Sequence, residues 1–186
     1  MNFIKTDISG LIIVEPKIFS DCRGHFFESY NQKEFSAHGI DINNSQDNQS
    51  LSYQNVLRGM HCQLNGHEQA KLVRTIHGSI QDIVVDIRVN SPTFGNCFSI
   101  ELNSDNCLSL YIPKGFLHGF LTLSTTAIVS YKCDSFYCPS SEFTVQFDDP
   151  DLNLPWLRND VIQSDKDKAG KSFKELCKAI GQTTKQ

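Results

Sequence analysis

The sequence predicts an antiparallel β-sandwich or β-barrel. From roughly residue 71 onward, short segments rich in β-branched and aromatic residues follow one another, and turn residues separate them. Strands that recur about every 8–12 residues, without long helices between them, are typical of this fold class. The segments are KLVRTI, SIQDIVVDIRV, CFSIEL, CLSLYI, GFLTLS, AIVSYKC and EFTVQF.

One of these segments alternates clearly. Ile83, Val85 and Ile87 occupy every second position, and Asp82 and Asp86 fall on the other side. Because side chains of a strand point alternately to its two faces, this pattern predicts a strand with one apolar face.

The chain ends flank this β-rich region with short helices. The segment LIIVEPKIF is interpreted as a strand, and NQKEFSAHG as a short helix with Gly39 as its C-cap. Near the C-terminus, Phe173, Leu176, Cys177 and Ile180 recur at helical spacing before a glycine. A mainly β protein with a few short helices, one of them near the C-terminus, is therefore predicted.

The length suits one domain. The 186 residues can bury a substantial core. We expect a single domain over 1–186, with N-terminal strands over about 1–56, a barrel core over about 57–150, and a C-terminal turn and helix over about 151–186.

Charge and composition argue against several classes of protein. The chain has 17 Lys and Arg against 21 Asp and Glu, a net charge of −4, which argues against a protein that coats nucleic acid or an anionic membrane. Lys5 and Asp7 interrupt the N-terminus, so no secretion signal is expected, and no apolar run approaches a membrane span. The 7 cysteines are scattered and form no C-x-x-C, which favours reduced thiols and the cytoplasm.

The segment LRGMHCQ raises three possibilities for His61: a metal ligand, the neighbour of a nucleophile, or a base. Zinc requires three or four ligands, and metal-binding barrels of the cupin type carry H-x-H, whereas this chain has Gln63 at the second position. A second histidine, His118, follows a P-x-G turn. Cys62 should point away from whatever His61 faces, because strand side chains alternate. A metal and a Cys62 nucleophile are both disfavoured.

His61 then remains a base, a ligand-binding residue or a satisfied core histidine. Arg58, Lys71, Arg74 and His118 could converge with it on an anion or an enolate. Such a cluster inside an apolar barrel is costly unless it has a use.

Two further segments leave alternatives open. In YKCDSFYCPSSE, Tyr131, Tyr137 and Glu142 are either ordinary packing residues or, for the tyrosines, a general acid and a ring that stacks on a base. In QSDKDKAG, the charges form either a solvated turn or a segment that buries one aspartate against His61, orienting the imidazole.

Motifs spread along the chain resemble one family. They cover residues from about 3 to 168, and in this order they resemble the dTDP-4-dehydrorhamnose 3,5-epimerase family. The motifs are DCRGHFFE, SQDNQS, LRGMHCQ, QAKLVR, DIVVDIRVNSPTFG, IPKGFLHGFLTLS, SYKCDSFYCP, DDPDLNLPW and SDKD.

The resemblance implies a metal-free, cupin-like jelly roll that works as a homodimer without a cofactor. The implied substrate is a nucleotide-linked 4-keto-6-deoxyhexose, inverted at C3 and C5 through enolates. The implied reaction converts dTDP-4-dehydro-6-deoxy-D-glucose to dTDP-4-dehydro-L-rhamnose, a step of polysaccharide precursor biosynthesis. Such chemistry needs a base, an acid on the opposite face, and a cation near the oxyanion.

The resemblance also implies roles for individual residues. His61 matches the base, Asp167 its dyad partner, Tyr131 the acid and Lys71 the residue that stabilises the enolate. The implied sugar, phosphate and nucleotide contacts, partly supplied across the dimer, are Arg58, His118, Tyr137, Glu142, Lys166, Arg23, Glu28, Gln46, Asp47 and Asn48.

Some positions depart from the family pattern. Met60 and Cys62 replace a leucine and an aromatic residue, and Phe147 stands where a tryptophan is common. None of these changes removes a catalytic group, but they leave the exact sugar and nucleotide open, so epimerisation at one carbon only and a CDP- or GDP-linked substrate remain alternatives. A non-catalytic sugar-binding protein and a metal-dependent dioxygenase of the same fold are further alternatives.

Overall fold

A computed structural model describes residues 1–42 and 45–181 of the chain. In this part of the chain the backbone forms strands, short α-helices and one 3₁₀ turn, Pro139–Ser141. The strands are β1 (Asn2–Lys5), β2 (Ile12–Glu15), β3 (Phe19–Asp21), β4 (Gly24–Phe26), β5 (Gln46–Tyr53), β6 (Leu57–Gln63), β7 (Lys71–His77), β8 (Ser79–Asp86), β9 (Cys97–Asn103), β10 (Ser109–Ile112), β11 (Phe116–Thr122), β12 (Thr126–Cys133) and β13 (Glu142–Thr144). The helices are α1 (Gln32–Ala37), α2 (Asp165–Lys168) and α3 (Phe173–Ala179).

Two antiparallel sheets make up the barrel. The six-stranded sheet has the order β1-β2-β10-β7-β12-β5, and the five-stranded sheet has the order β13-β6-β11-β8-β9. Neighbouring strands are mostly distant in sequence, as in a jelly roll. The predicted mainly β, cupin-like fold with a few short helices is confirmed.

The main core lies between the two sheets. Val73 and Val129 of the six-stranded sheet are fully buried in one cluster with Val84 and Phe120 of the five-stranded sheet. Side chains from one face of each of these strands therefore meet in a shared apolar interior.

Strand β8 is buried on both faces. Ile83 and Val85 point outward and pack under the C-terminal helix, while Asp82 and Asp86 are 0% exposed on the inner side. The Arg88 guanidinium donates to both carboxylate oxygens of Asp86. The polar face of β8 that the alternation predicted is therefore also buried, and its two aspartates are bonded to Arg88 and His118.

Helix α3 covers the outer face of the five-stranded sheet. A capping box joins Ser172 and Glu175, and the Asp149 carboxylate accepts from the Phe173 amide at 2.9 Å. Phe173 and Leu176 are buried against the strands that carry the cavity residues. The helix thereby stabilises the sheet from outside.

Helix α1 covers the other sheet. Asn31 caps its N-terminus, and Gly39 follows its C-terminal end with φ +74°, a conformation that favours glycine. Phe35 is fully buried against Val14 and Leu72. Both outer faces of the sandwich are therefore partly covered by chain.

The hairpin of β3 and β4 stands apart from both sheets. It forms a two-stranded sheet in which every residue is exposed, including Phe19 and Phe26. No helix among residues 1–42 and 45–181 is long and apolar enough to cross a membrane. Residues 43, 44 and 182–186 of the expected single domain lie outside the described residues.

Candidate active site

A cavity of about 560 Å³ opens between the two sheets. This volume lies within the usual range for small-molecule sites. Both sheets and helix α2 contribute to its wall. Among the residues singled out from the sequence, those that line it are Gln46, Asn48, Arg58, His61, Cys62, Gln63, Lys71, His118, Tyr131, Tyr137, Glu142, Lys166 and Asp167.

His61 and Asp167 form a pair in this cavity. The imidazole Nε2 donates to Asp167 Oδ1 at 2.6 Å, across 106 positions of sequence. The aspartate side chain is 5% exposed and the histidine side chain 26%. A neutral ring bonded through Nε2–H keeps Nδ1 as its basic nitrogen, so the pair can accept a proton there.

Helix α2 places Asp167 against His61. Ser164 caps this helix by accepting from the Asp167 amide at 3.2 Å. Burial by itself raises the pKa of the Asp167 carboxyl, but the hydrogen bond and charge of His61 outweigh burial and lower that pKa. Asp165, on the same turn, is exposed. The segment is therefore not simply a solvated charged turn.

A second histidine–aspartate pair lies deeper in the cavity. His118 Nε2 donates to Asp82 Oδ2 at 2.8 Å, and the side chains are 9% and 0% exposed. The other carboxylate oxygen, Asp82 Oδ1, is buried without a hydrogen-bond partner among the described residues. Sequence reasoning missed Asp82 as a site residue, although a carboxylate between Ile80 and Val84 on one strand face was a signal.

Tyr131 comes from the sheet opposite His61. It lies on β12, packs against the main core and lines the cavity. Burial, and then the nearby Cys133, raise the pKa of its phenol. The hydroxyl therefore keeps its proton at neutral pH and can donate it.

Lys71 enters the cavity from β7, next to β12. Its strand neighbour in register is Cys133, so Lys71 and Tyr131 extend from adjacent strands of one sheet. An ammonium group at this wall can stabilise negative charge that develops in the cavity.

An irregularity in β6 brings Arg58 and His61 to the same cavity. Strict alternation would place residues three apart on opposite faces, but the β6–β11 register shifts between His118 and Phe120. At this shift a Cβ on Gly59 would lie 2.6 Å from Gly119 Cα. Only glycine permits this close approach of the two strands.

The cavity mouth carries a hydrogen-bonded network. The Tyr137 hydroxyl donates to Glu142 Oε2 at 2.7 Å, and Lys166 Nζ pairs with the same oxygen at 2.5 Å. Burial raises the pKa of Glu142, but the bonds from Lys166 and Tyr137 outweigh it, so that the pKa is lowered. This network fixes the carboxylate in its charged form.

Three residues with implied nucleotide contacts lie outside this cavity. Asp47 sits on the opposite face of β5 from Gln46 and Asn48, and its carboxylate pairs with Lys132 at 2.7 Å. Arg23 pairs with Asp21 on the exposed hairpin, and Glu28 follows that hairpin. Within a single chain these three side chains do not line the cavity.

Arg74 was expected to converge with His61, and that expectation is wrong. Lys71 and Val73 face the interior of the barrel, so the alternation of β7 turns Arg74 outward. Its guanidinium lies 6.0 Å from the Phe27 ring centre, outside the cavity wall.

Cys62 is buried mainly in the outer core beneath helix α3, although it also borders the cavity. Its thiol donates to the Phe143 carbonyl at 3.8 Å. Burial raises its pKa to about 12, with Lys71 opposing that shift. A thiol that keeps its proton is a poor nucleophile.

The two histidines are engaged by their own aspartates. Within residues 1–42 and 45–181, no group of three or more His, Cys, Asp or Glu side chains is placed to hold a metal ion. Gln63, at the position of the second histidine in metal-binding barrels, bonds backbone groups instead. The arrangement suits proton transfer beside an anionic ligand.

Comparisons with known proteins agree with this site. The family model for dTDP-4-dehydrorhamnose 3,5-epimerase matches residues 5–175. A protein of that name from Methanothermobacter thermautotrophicus is 43% identical over 177 residues, which are 94% of this chain and 95% of the relative.

Solved structures agree as well. The chain is similar to dTDP-6-deoxy-D-glucose-3,5-epimerase of Legionella pneumophila in complex with dTDP-4-keto-L-rhamnose, with TM-score 0.91, 42% identity, and coverage of 100% and 98%. A 3'-monoepimerase from Streptomyces bikiniensis, in complex with dTDP-quinovose, has TM-score 0.86, 32% identity, and coverage of 95% and 89%. Together with the paired His61 and the opposed Tyr131, these matches show that the chain belongs to the dTDP-4-dehydrorhamnose 3,5-epimerase family, a family of isomerases.

Proposed function

We propose that the protein converts dTDP-4-dehydro-6-deoxy-D-glucose to dTDP-4-dehydro-L-rhamnose by inverting C3 and C5. The observation that carries the proposal is the placement of a paired imidazole and a protonated phenol on opposite sheets of one cavity. The Legionella relative, which holds the keto-rhamnose product, supports the same ligand class.

The chemistry follows from the acidity of carbons next to a ketone. His61 takes the proton from such a carbon through Nδ1, and Asp167 stabilises the imidazolium that forms. The electron pair left on carbon delocalises onto the ketone oxygen, beside which Lys71 stabilises the enolate. Tyr131 returns a proton from the opposite face, so the configuration inverts.

The nucleotide end of the ligand lies toward the mouth of the cavity, where Tyr137 is exposed. Arg58 and Lys166 offer positive charge and donors to the diphosphate, and His118 lines the same cavity. Tyr137, half-exposed at the mouth, offers its ring face to the base. The mechanism uses only side chains of the protein, so the proposed reaction requires no cofactor.

We also propose a cytoplasmic homodimer in which the early segment crosses to the partner. Phe19 is 54% exposed and Phe26 68% exposed on a hairpin outside both sheets. Such exposed aromatic side chains are characteristic of protein interfaces. Arg23 on this hairpin and Glu28 just after it would then complete the nucleotide site of the second copy.

A second candidate, inversion at C3 alone, is supported by the Streptomyces bikiniensis relative. That protein shares the fold and is named a 3'-monoepimerase. The two candidates differ in the number of carbons that exchange protons with solvent.

Proton NMR in D₂O tests both candidates. For the purified protein with the dTDP-linked keto-sugar, deuterium is expected at C3 and at C5. Deuterium uptake at one carbon only would identify a monoepimerase. Faster uptake with a CDP- or GDP-linked sugar would show that the substrate carries that nucleotide instead of dTDP.

Two variants test the roles of the base and the acid in the same assay. His61→Ala should abolish both exchange and turnover, with a loss of about 10²–10⁴-fold or more. Tyr131→Phe should retain exchange better than inversion, because proton removal does not need the phenol. Wild-type turnover in folded His61→Ala would contradict the mechanism.

A further inference from the structure

The segment between β12 and β13 crosses the cavity mouth and carries Tyr137. Its backbone is held by side-chain amides from two different sheets. The Tyr137 amide donates to Gln46 Oε1 on β5 at 2.9 Å. The next amide, of Cys138, donates to Gln63 Oε1 on β6 at 2.6 Å. Two consecutive peptide groups are thus clamped between the sheets.

Gln63 uses both ends of its carboxamide in this clamp. Its Nε2 donates to the His67 carbonyl at 2.8 Å, while its Oε1 accepts from Cys138. The residue is 8% exposed. A buried amide that bonds two separate backbone segments joins them firmly, because breaking either bond leaves a polar group unsatisfied.

The Tyr137 ring depends on this backbone for its position. It is 46% exposed, and its side chain is held only at the hydroxyl end, by Glu142 at 2.7 Å and by Lys166. A ring outside the core is oriented by the backbone that carries it. A ring already in place loses less conformational entropy when a ligand stacks on it.

We propose that Gln63 is a positioning residue for the nucleotide end of the site, with Gln46 as the other half of the clamp. Gln63 presents the Tyr137 ring to the base by holding the Cys138 amide. The inference rests on the proposed function, since it presumes that a nucleotide stacks on Tyr137. Gln63 borders the cavity, but its carboxamide bonds the backbone of His67 and Cys138 and not the side chains of His61 or Tyr131. It therefore governs nucleotide affinity and KM and leaves kcat unchanged.

The test is a double-mutant cycle in the full-length protein, with dTDP itself as the probe in calorimetry. Gln63→Met keeps size and removes both bonds, and it should raise the dTDP Kd by roughly two- to tenfold per lost bond. In a Tyr137→Ala background the same change should leave Kd unaltered, because no ring remains to be positioned. The kcat of Gln63→Met should stay within about twofold of the wild-type value.

Gln81→Met is the matched control. Gln81 is also buried and also clamps a backbone segment, since it accepts from the Leu157 amide and donates to the Pro155 carbonyl. It lies outside the cavity wall. This variant should lower the melting temperature as Gln63→Met does, without changing the dTDP Kd.

Each alternative outcome has a distinct meaning. If Gln63→Met raises the dTDP Kd equally with and without Tyr137, Gln63 contacts the ligand directly and the positioning role is overturned. An equal rise of Kd in Gln81→Met would also overturn it, because the effect would then come from lost stability. If Gln63→Met does not fold, Gln63→Asn, which keeps the amide and loses its reach, replaces it in the cycle. A wild type that epimerises while Gln63→Met keeps its Kd overturns only this inference. A wild type that binds no dTDP overturns the proposed nucleotide and this inference with it.

Discussion

At the scale of single residues, each cavity histidine is defined by its own aspartate. His61 bonds Asp167 and His118 bonds Asp82, at 2.6 and 2.8 Å. Family motifs led to Asp167, although it lies far along the chain from His61. Asp82 was not found, because an aspartate in an alternating strand resembles a solvent-facing residue.

Asp167→Asn should reduce turnover by one to several orders of magnitude. The amide keeps most of the shape but loses the charge, and it can present the wrong tautomer of His61 to the substrate, as removal of an orienting carboxylate does elsewhere. Steady-state kinetics of the folded variant, checked by its melting curve, measures the loss.

Asp165→Asn is the control for that variant. Asp165 belongs to the same short helix and is exposed. Its substitution should change turnover by less than about twofold, as expected for a solvated charge. Small and equal losses at both positions would mean that His61 works without a carboxylate partner.

The Asp167 carboxyl also makes stability depend on pH. Its pKa is lowered in the folded protein, so the pairing contributes stability above the ordinary carboxyl pKa of about 3.9. That contribution disappears as the pH falls through the lower folded pKa. Acid therefore weakens the pair that aligns the base.

At the scale of elements, the irregular part of β6 determines which side chains share the cavity. The segment LRGMHCQ was interpreted as a strand with alternating side chains, yet strict alternation separates Arg58 from His61. Their convergence depends on the register shift at Gly59 and Gly119, which is a property of two strands packed together. A single-strand pattern cannot reveal it. The burial of both faces of β8 was hidden for the same reason.

Gly59→Ala should destabilise the fold by about 2–5 kcal/mol and lower turnover. The new Cβ would lie 2.6 Å from Gly119 Cα, at φ +132°, so β6 would have to move away from β11. Urea unfolding gives the free energy, and the epimerisation assay gives the turnover.

Gly95→Ala serves as the comparison. Gly95 also has positive φ, +81°, but a Cβ there meets nothing within 4 Å. Its cost should be conformational alone, about 1–2 kcal/mol, with turnover retained. Equal losses of stability at the two glycines would mean that close strand approach is not what requires Gly59.

At the scale of the whole molecule, the three regions of the expected single domain share their packing. Residues 1–56 supply β1, β2 and β5 to the six-stranded sheet, and α3 packs on the five-stranded one. Composition and strand spacing predicted the fold class because they report local structure. The order of strands and the exposed hairpin could not be predicted, since they depend on distant partners.

The homodimer can be tested by complementation between two defective chains. Light scattering should give a dimer. Arg23→Ala and His61→Ala should each lower activity, and their coexpressed mixture should regain part of it, because a mixed dimer contains one site with both residues intact.

Two results would contradict the shared site. One is a monomer with full activity. The other is a mixture of Arg23→Ala and His61→Ala no more active than the sum of the separate variants. Arg88→Ala, mixed with His61→Ala, is a control, because Arg88 serves the fold of its own chain through Asp86.

The charges of the cavity fall into two sets with different consequences. Lys166 is paired with the Glu142 carboxylate, whereas Arg58 and Lys71 form no ion pair among the described residues. In a chain of net charge −4, these two leave a local positive field that draws an anionic nucleotide inward. Substrate and product of an epimerisation are isomers of equal charge, so this field attracts both alike. It speeds capture from either side of the reaction and leaves the direction of net flux to the step that removes the product.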